Sequence, residues 1–101
     1  MITVVVLFNL KDATAVADYE RWAREVDMRA VCSLPSVNRF EVLRTKGMFD
    51  GGAPPYQYVE LLRISDIERF GNDVSSALMQ KVAAEFRSFA DDPKFMITES
   101  L

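Results

Sequence analysis

The sequence contains no histidine. That absence excludes Ser-His-Asp catalysis, histidine-ligated haem and histidine-rich metal sites. A single cysteine, Cys32, can form neither an internal disulfide nor a thiolate zinc cage, and a reduced, cytoplasmic setting is the matching expectation. Strong positive charge is also missing. A net charge of -3 gives no electrostatic reason for a nucleic-acid partner. The longest apolar run, Ile2–Phe8, falls far short of the ~20 residues that span a membrane. It lacks a basic n-region, so neither a signal peptide nor a membrane partner is expected. What is present is ordinary globular composition, 50% hydrophobic and 27% charged, in 101 residues, enough for one domain over 1–101.

Ile2–Asn9 (ITVVVLFN) is a β-branched and aromatic run that reads as a strand buried on both faces. Asp12 or Thr14 is placed to cap a helix over Ala15–Val31, whose apolar stripe is Val16, Tyr19, Ala23, Val26 and Ala30. Pro35 stops it. Val37–Thr45 alternates as a second strand, Gly47–Pro55 is a turn-rich loop, and Tyr56–Ile64 alternates as a third strand. Ser65 with Glu68 makes a capping box for a helical stretch carrying Ile67, Phe70, Val74, Leu78, Val82, Phe86 and Phe89. Gly71-Asn72-Asp73 is expected to break it, with Asp73 restarting the longer helix. Lys94–Ser100 closes the chain as a fourth strand. The order βαββαβ predicts an α+β, ferredoxin-like fold, a four-stranded antiparallel sheet with both helices on one face.

Two helices cover only one face of such a sheet. Val5, Leu7, Phe40, Val42, Val59 and Leu61 are assigned to the helix side. Val4, Val6, Phe8, Arg39, Glu41, Leu43, Tyr56, Tyr58, Glu60 and Leu62 are assigned to the other. That second face is too apolar for a bare surface and too polar for a dry core. Its mixed character predicts a sheet-on-sheet homodimer enclosing a cavity.

The opening ITVVVLFNLKD, the segments SVNRFEVLRT and YQYVELLRISDIERF, and the closing EFRSFADDPKFMITESL together resemble the dimeric α+β barrel superfamily over nearly the whole chain. The helix end followed by Asp91-Asp92-Pro93 and a short strand resembles the EthD-like branch and, more closely, the RedY-like (HapK-type) proteins of prodigiosin and bisindole pathways. The resemblance implies a homodimer with a ligand cavity. It also implies a cofactor-independent cyclisation or tautomerisation of an indole- or pyrrole-type intermediate. Related branches imply two alternatives, a cofactor-free aromatic monooxygenase and a non-catalytic carrier of a reactive small aromatic molecule. The missing histidine counts against the oxygenase.

Glu60 is the first candidate catalytic residue. A carboxyl in a semi-apolar cavity has a raised pKa, suited to acid–base work near neutral pH. Tyr56 and Tyr58, at two-residue spacing from it, could donate hydrogen bonds and stack on an aromatic ligand. Alternatively, Glu60 pairs with Arg39 or Arg63. Arg39 and Glu41 either bind a ligand or pair with each other. Asn9 corresponds to an activating asparagine in the oxygenase and haem-degrading branches, or simply ends its strand. Trp22 and Phe8 could line a pocket, Trp22 otherwise serving the core. Cys32, at a helix C-terminus, reads as packing, and Asp91-Asp92 as a turn. The Gly47–Pro55 loop lacks a phosphate-binding lysine and reads as a flap tipped by Met48 and Phe49. No metal and no cofactor is expected.

Overall fold

The computed structural model describes residues 1–101. β1 (Ile2–Leu10) is a central strand, and its unbroken apolar run reflects neighbours on both edges and apolar contacts on both faces. A 3-10 turn at Ala13–Ala15, capped by Asp12 Oδ1 on the Thr14 amide at 2.9 Å, leads into α1 (Val16–Trp22). A π-helical turn (Ala23–Asp27) carries the rod into α2 (Met28–Cys32). β2 (Val37–Arg44) and β3 (Tyr58–Ile64) follow, then α3 (Ile67–Asp73), α4 (Ala77–Phe89) and β4 (Ala90–Glu99). The sheet order is β2-β3-β1-β4, antiparallel throughout, so the expected α+β ferredoxin-like arrangement is present.

Several boundaries differ from the sequence reading for physical reasons. The Ser65 amide donates to Ser36 O at 3.0 Å, extending the strand ladder, so Asp66 caps α3 instead, accepting from the Glu68 and Arg69 amides. Asp73 does not restart the longer helix. Its carboxylate accepts from the Ser36 amide at 3.0 Å, and Ser76 caps α4 through the Met79 amide. Ser76→Ala is therefore expected to cost about 1 kcal/mol, read as a lowered urea midpoint with unchanged slope. β4 starts at Ala90, with an irregularity opposite Phe8 that places Asp92 in the left-handed region at φ 43°. Cys32 is exposed and so lies outside the core, where a packing role would place it.

The register corrects the assignment of faces. Val4, Val6, Phe8 and Leu10 from β1, with Tyr58, Glu60, Leu62 and Ile64 from β3, point to the helices and are buried. Val5, Leu7, Val59 and Leu61 lie on the outer face, the reverse of the expectation for these two strands. Phe40 and Val42 are on the helix side as expected, and Arg39, Glu41 and Leu43 are outside. The helix-side core joins these strand residues to Tyr19, Ala23, Ala30, Val31, Met79, Val82 and Phe86. No helix is long and apolar enough to cross a membrane.

Candidate functional site: a buried carboxyl pair in an apolar cavity

Cross-strand pairing builds the floor of the site. Val42, Glu60, Val6 and Phe95 form one row across all four strands, and Phe40, Leu62, Val4 and Ile97 form the next. Glu60 is thus one carboxyl set among apolar neighbours. Above these rows the helices do not close completely. A cavity of about 610 Å³ remains, lined by seventeen residues of which thirteen are hydrophobic. That volume is within the roughly 300–1,000 Å³ of small-molecule sites. Its polar lining consists of Asp27 and Glu60, both buried, and Gln80 and Arg87, both exposed.

Asp27 reaches the cavity because of the π-helical turn. An α-helix advances 3.6 residues per turn, whereas this wider turn keeps residues 23 and 27 in line. Ala23, Asp27 and Val31 are consequently buried along one line, and Val26 is only half-buried. Asp27 is 5% exposed and Glu60 6% exposed. Burial pushes the Asp27 carboxyl up to about 7. Burial first, and the nearby Asp27 charge second, push Glu60 up to about 8, against a small opposing effect of the Tyr19 hydroxyl. That hydroxyl donates to Glu60 Oε2 at 3.4 Å. A carboxyl that is half ionised near neutral pH can both take and give a proton there.

Tyr58 belongs to a different network. Its hydroxyl donates to Glu20 Oε2 at 2.8 Å, while Arg44 grips the same carboxylate with two bonds of 2.8 and 2.7 Å. The arginine holds Glu20 down to about 2, and burial raises Tyr58 to about 12. These groups line a separate cleft of about 140 Å³. Tyr56 precedes β3 and lines neither space. The structure therefore separates the three candidates Glu60, Tyr58 and Tyr56 and brings only Glu60 to the cavity.

The expected ligand-binding residues have other surroundings. Asn9 clasps the segment that leads into β3: its Nδ2 donates to Pro55 O at 3.1 Å, and its Oδ1 accepts from the Gln57 amide at 2.9 Å. Arg39 and Glu41 form an ion pair of 2.9 Å on the outer face. Trp22 packs against Phe89 and Tyr19, with its buried Nε1 unpartnered, and lines neither space. Phe8 is a core ring between Tyr58, Tyr19 and Phe86. The Gly47–Pro55 loop contributes no side chain to the cavity, so it is not its flap. Asp27 was missed in the sequence, although its place four residues after Ala23 and eight after Tyr19 is the signal that could have found it. No group of three or more His, Cys, Asp or Glu side chains could hold a metal ion.

A four-stranded antiparallel sheet with helices on one face and a cavity beneath them defines an α+β protein of ferredoxin-like fold. Residues 2–101 match the family described as REDY-like protein HapK, and the chain belongs to that family. Among solved structures, HapK from Hahella chejuensis is 29% identical, with a TM-score of 0.85 over 100% of this chain and 93% of that one. An EthD-family protein from Bacillus halodurans c-125 is 14% identical, with a TM-score of 0.80 over 100% and 99% of the two chains. SnoaB, a cofactor-independent oxygenase from Streptomyces nogalater, is 16% identical, with a TM-score of 0.78 over 99% and 92%. These last two likenesses concern the fold. A comparison with curated proteins gives no match.

Proposed function

We propose that the protein admits a flat, mostly apolar aromatic intermediate of indole or pyrrole type and promotes its cofactor-independent cyclisation or tautomerisation. Glu60 moves the proton. The observation that carries this reading is a nearly fully buried carboxyl, raised toward neutral pH by its own burial, in the floor of an apolar cavity of ligand size. Membership of the HapK family supports the placement in secondary metabolism. The reaction is assigned to the cytoplasm, where the exposed Cys32 thiol stays reduced.

The test is to offer indole- and pyrrole-type intermediates to the wild-type protein and to Glu60→Gln, in air and under nitrogen. Conversion that persists under nitrogen and collapses in the variant supports the reading. Conversion that needs oxygen supports a monooxygenase instead. Saturable binding with no chemical change in the ligand makes the protein a carrier.

The working unit is assigned as a homodimer built through the outer sheet face. Two rows there are largely apolar: Leu43, Val59 and Leu7 in one, Leu61, Val5 and Met96 in the other. Arg39, Arg63, Thr3 and Thr98 border them as a polar row. Burying such a surface in a twofold contact removes an apolar patch that a free monomer would expose to water. Leu61→Asp puts a charge in the centre of that face. Light scattering is expected to give twice 11.5 kDa for the wild type and the single-chain mass for the variant. A wild type of single-chain mass at micromolar concentration removes the dimer.

A further inference from the structure

A buried carboxyl that serves only the fold has a cation or several donors beside it, because an unpartnered one costs several kcal/mol. Neither Asp27 nor Glu60 has such a partner. The five ion pairs of the protein involve other residues. Glu60 receives only the Tyr19 hydroxyl, at a long 3.4 Å, and the Asp27 side chain makes no hydrogen bond. Both residues line the cavity. Their acceptor atoms are therefore left for whatever fills that space.

We infer that Asp27 and Glu60 act together as one acid pair that seizes the ligand through an N–H group, selecting N–H heteroaromatics, amines and iminium ions over carboxylates. This rests on the cavity being the active site and adds a second acid and a ligand polarity to it. Two carboxyls that feel each other's charge lose their protons in two separate steps, so around neutral pH the pair keeps one proton. The ionised member accepts the ligand N–H. The protonated member is the proton donor. In a tautomerisation the ionised carboxylate takes a proton from a ligand N–H or C–H, and the acid delivers its proton to a second ligand atom. The pair then still holds one proton, on the other member, and the ligand has neither gained nor lost electrons. A ligand carboxylate would bring a further negative charge against the pair. Tyr19 from α1 faces the pair and Tyr58 is turned to Glu20, while the exposed Arg87 from α4 lines the same cavity without forming an ion pair with either carboxyl. From β1, β2, β4 and α3 the lining is apolar, with Val6, Phe40, Phe95 and Phe70.

The first measurement needs no ligand. Carboxyl carbon NMR titrations of the full chain are compared for wild type, Asp27→Asn and Glu60→Gln. Glu60, which titrates second beside an ionised Asp27, is expected to titrate about one pH unit lower in Asp27→Asn, whereas Asp27, which titrates beside a neutral Glu60, keeps its midpoint in Glu60→Gln. A Glu60 midpoint that does not move in folded Asp27→Asn overturns the pairing. The second measurement compares tryptamine with indole-3-propionate, which are alike in size but end in an ammonium and a carboxylate. At pH 8 tryptamine is expected to bind about tenfold more tightly or better, a ratio worth ~1.4 kcal/mol. The ratio should shrink toward unity at pH 5 and in the Asp27→Asn/Glu60→Gln double variant. Equal binding, or preference for the carboxylate, overturns the selectivity. If Glu60→Gln keeps full turnover while the midpoints remain coupled, the catalytic reading fails and the pair stands as a binding device.

Discussion

At pH 8, Glu60→Gln is expected to unfold at a higher temperature than the wild type while losing turnover by about 10²–10⁴-fold, the range of a single acid–base group. The two effects have one cause. Burial raises Glu60 from 4.5 to about 8 in the folded protein. A raised carboxyl means that the folded chain holds a proton the unfolded chain has released, so stability falls as pH rises. The cost is absent below the unfolded value of about 4.5, grows through the neutral range, and is complete above about 8. Its full size is on the order of 5 kcal/mol, at 1.36 kcal/mol per pH unit. The amide removes the ionisation but must itself be hydrogen-bonded in the cavity, so the net gain at pH 8 is about 1–3 kcal/mol. Thermal melts at pH 8 and pH 4.5 check this, because the advantage should vanish at the lower pH. A variant less stable than wild type at pH 8 would show that burial is not what sets the Glu60 proton affinity. Such a residue weakens the fold where it serves the ligand, a common trade between stability and activity.

Phe8→Ala is expected to cost about 3–5 kcal/mol. Phe8 is 0% exposed, with ring centroids 4.9 Å from Phe86, 5.4 Å from Tyr58 and 5.5 Å from Tyr19. Truncation opens a void at the junction of both central strands, α1 and α4. For a domain of about 100 residues a loss of 3 kcal/mol lowers the melting temperature by roughly 12–24 °C. Against a total stability of about 5–15 kcal/mol, the variant sits near the limit of folding. Phe8→Leu keeps most of the volume and should lose less than half as much. Denaturant titration distinguishes the two. A mild Phe8→Ala would mean that the ring is replaceable packing rather than the hub of the aromatic cluster.

The βαββαβ order was legible because strand and helix periods are clear in Val37–Arg44, Tyr58–Ile64 and Ala77–Phe89. The family resemblance was legible too, in segments spread over the chain. The facing of β1 and β3 was not. In VVVLF both alternating sets are apolar, so a period of two cannot say which set meets the helices, and in YVELL the charged Glu60 marks the wrong set as the outer one. Glu60 and the Arg39–Glu41 neighbours stood out as charges in strands, and Glu60 alone entered the cavity. Asp27 was lost to the assumption of 3.6 residues per turn, which selects Val26 for the buried stripe. The π-helical turn moves the line by one residue and substitutes a carboxyl for that valine.

The clasp at Asn9 acquires a meaning from this ambiguity. If β3 slid by one residue along β1, Val59 and Leu61 would enter the core and Glu60 would reach solvent, an exchange that hydrophobic burial alone would favour. The slide has to break a reciprocal lock. The Gln57 amide donates to Asn9 Oδ1 at 2.9 Å, and the Leu10 amide donates to Gln57 Oε1 at 2.7 Å. These bonds hold the alignment that keeps an expensive carboxyl inside, so the chemistry of the cavity depends on a side chain that does not line it.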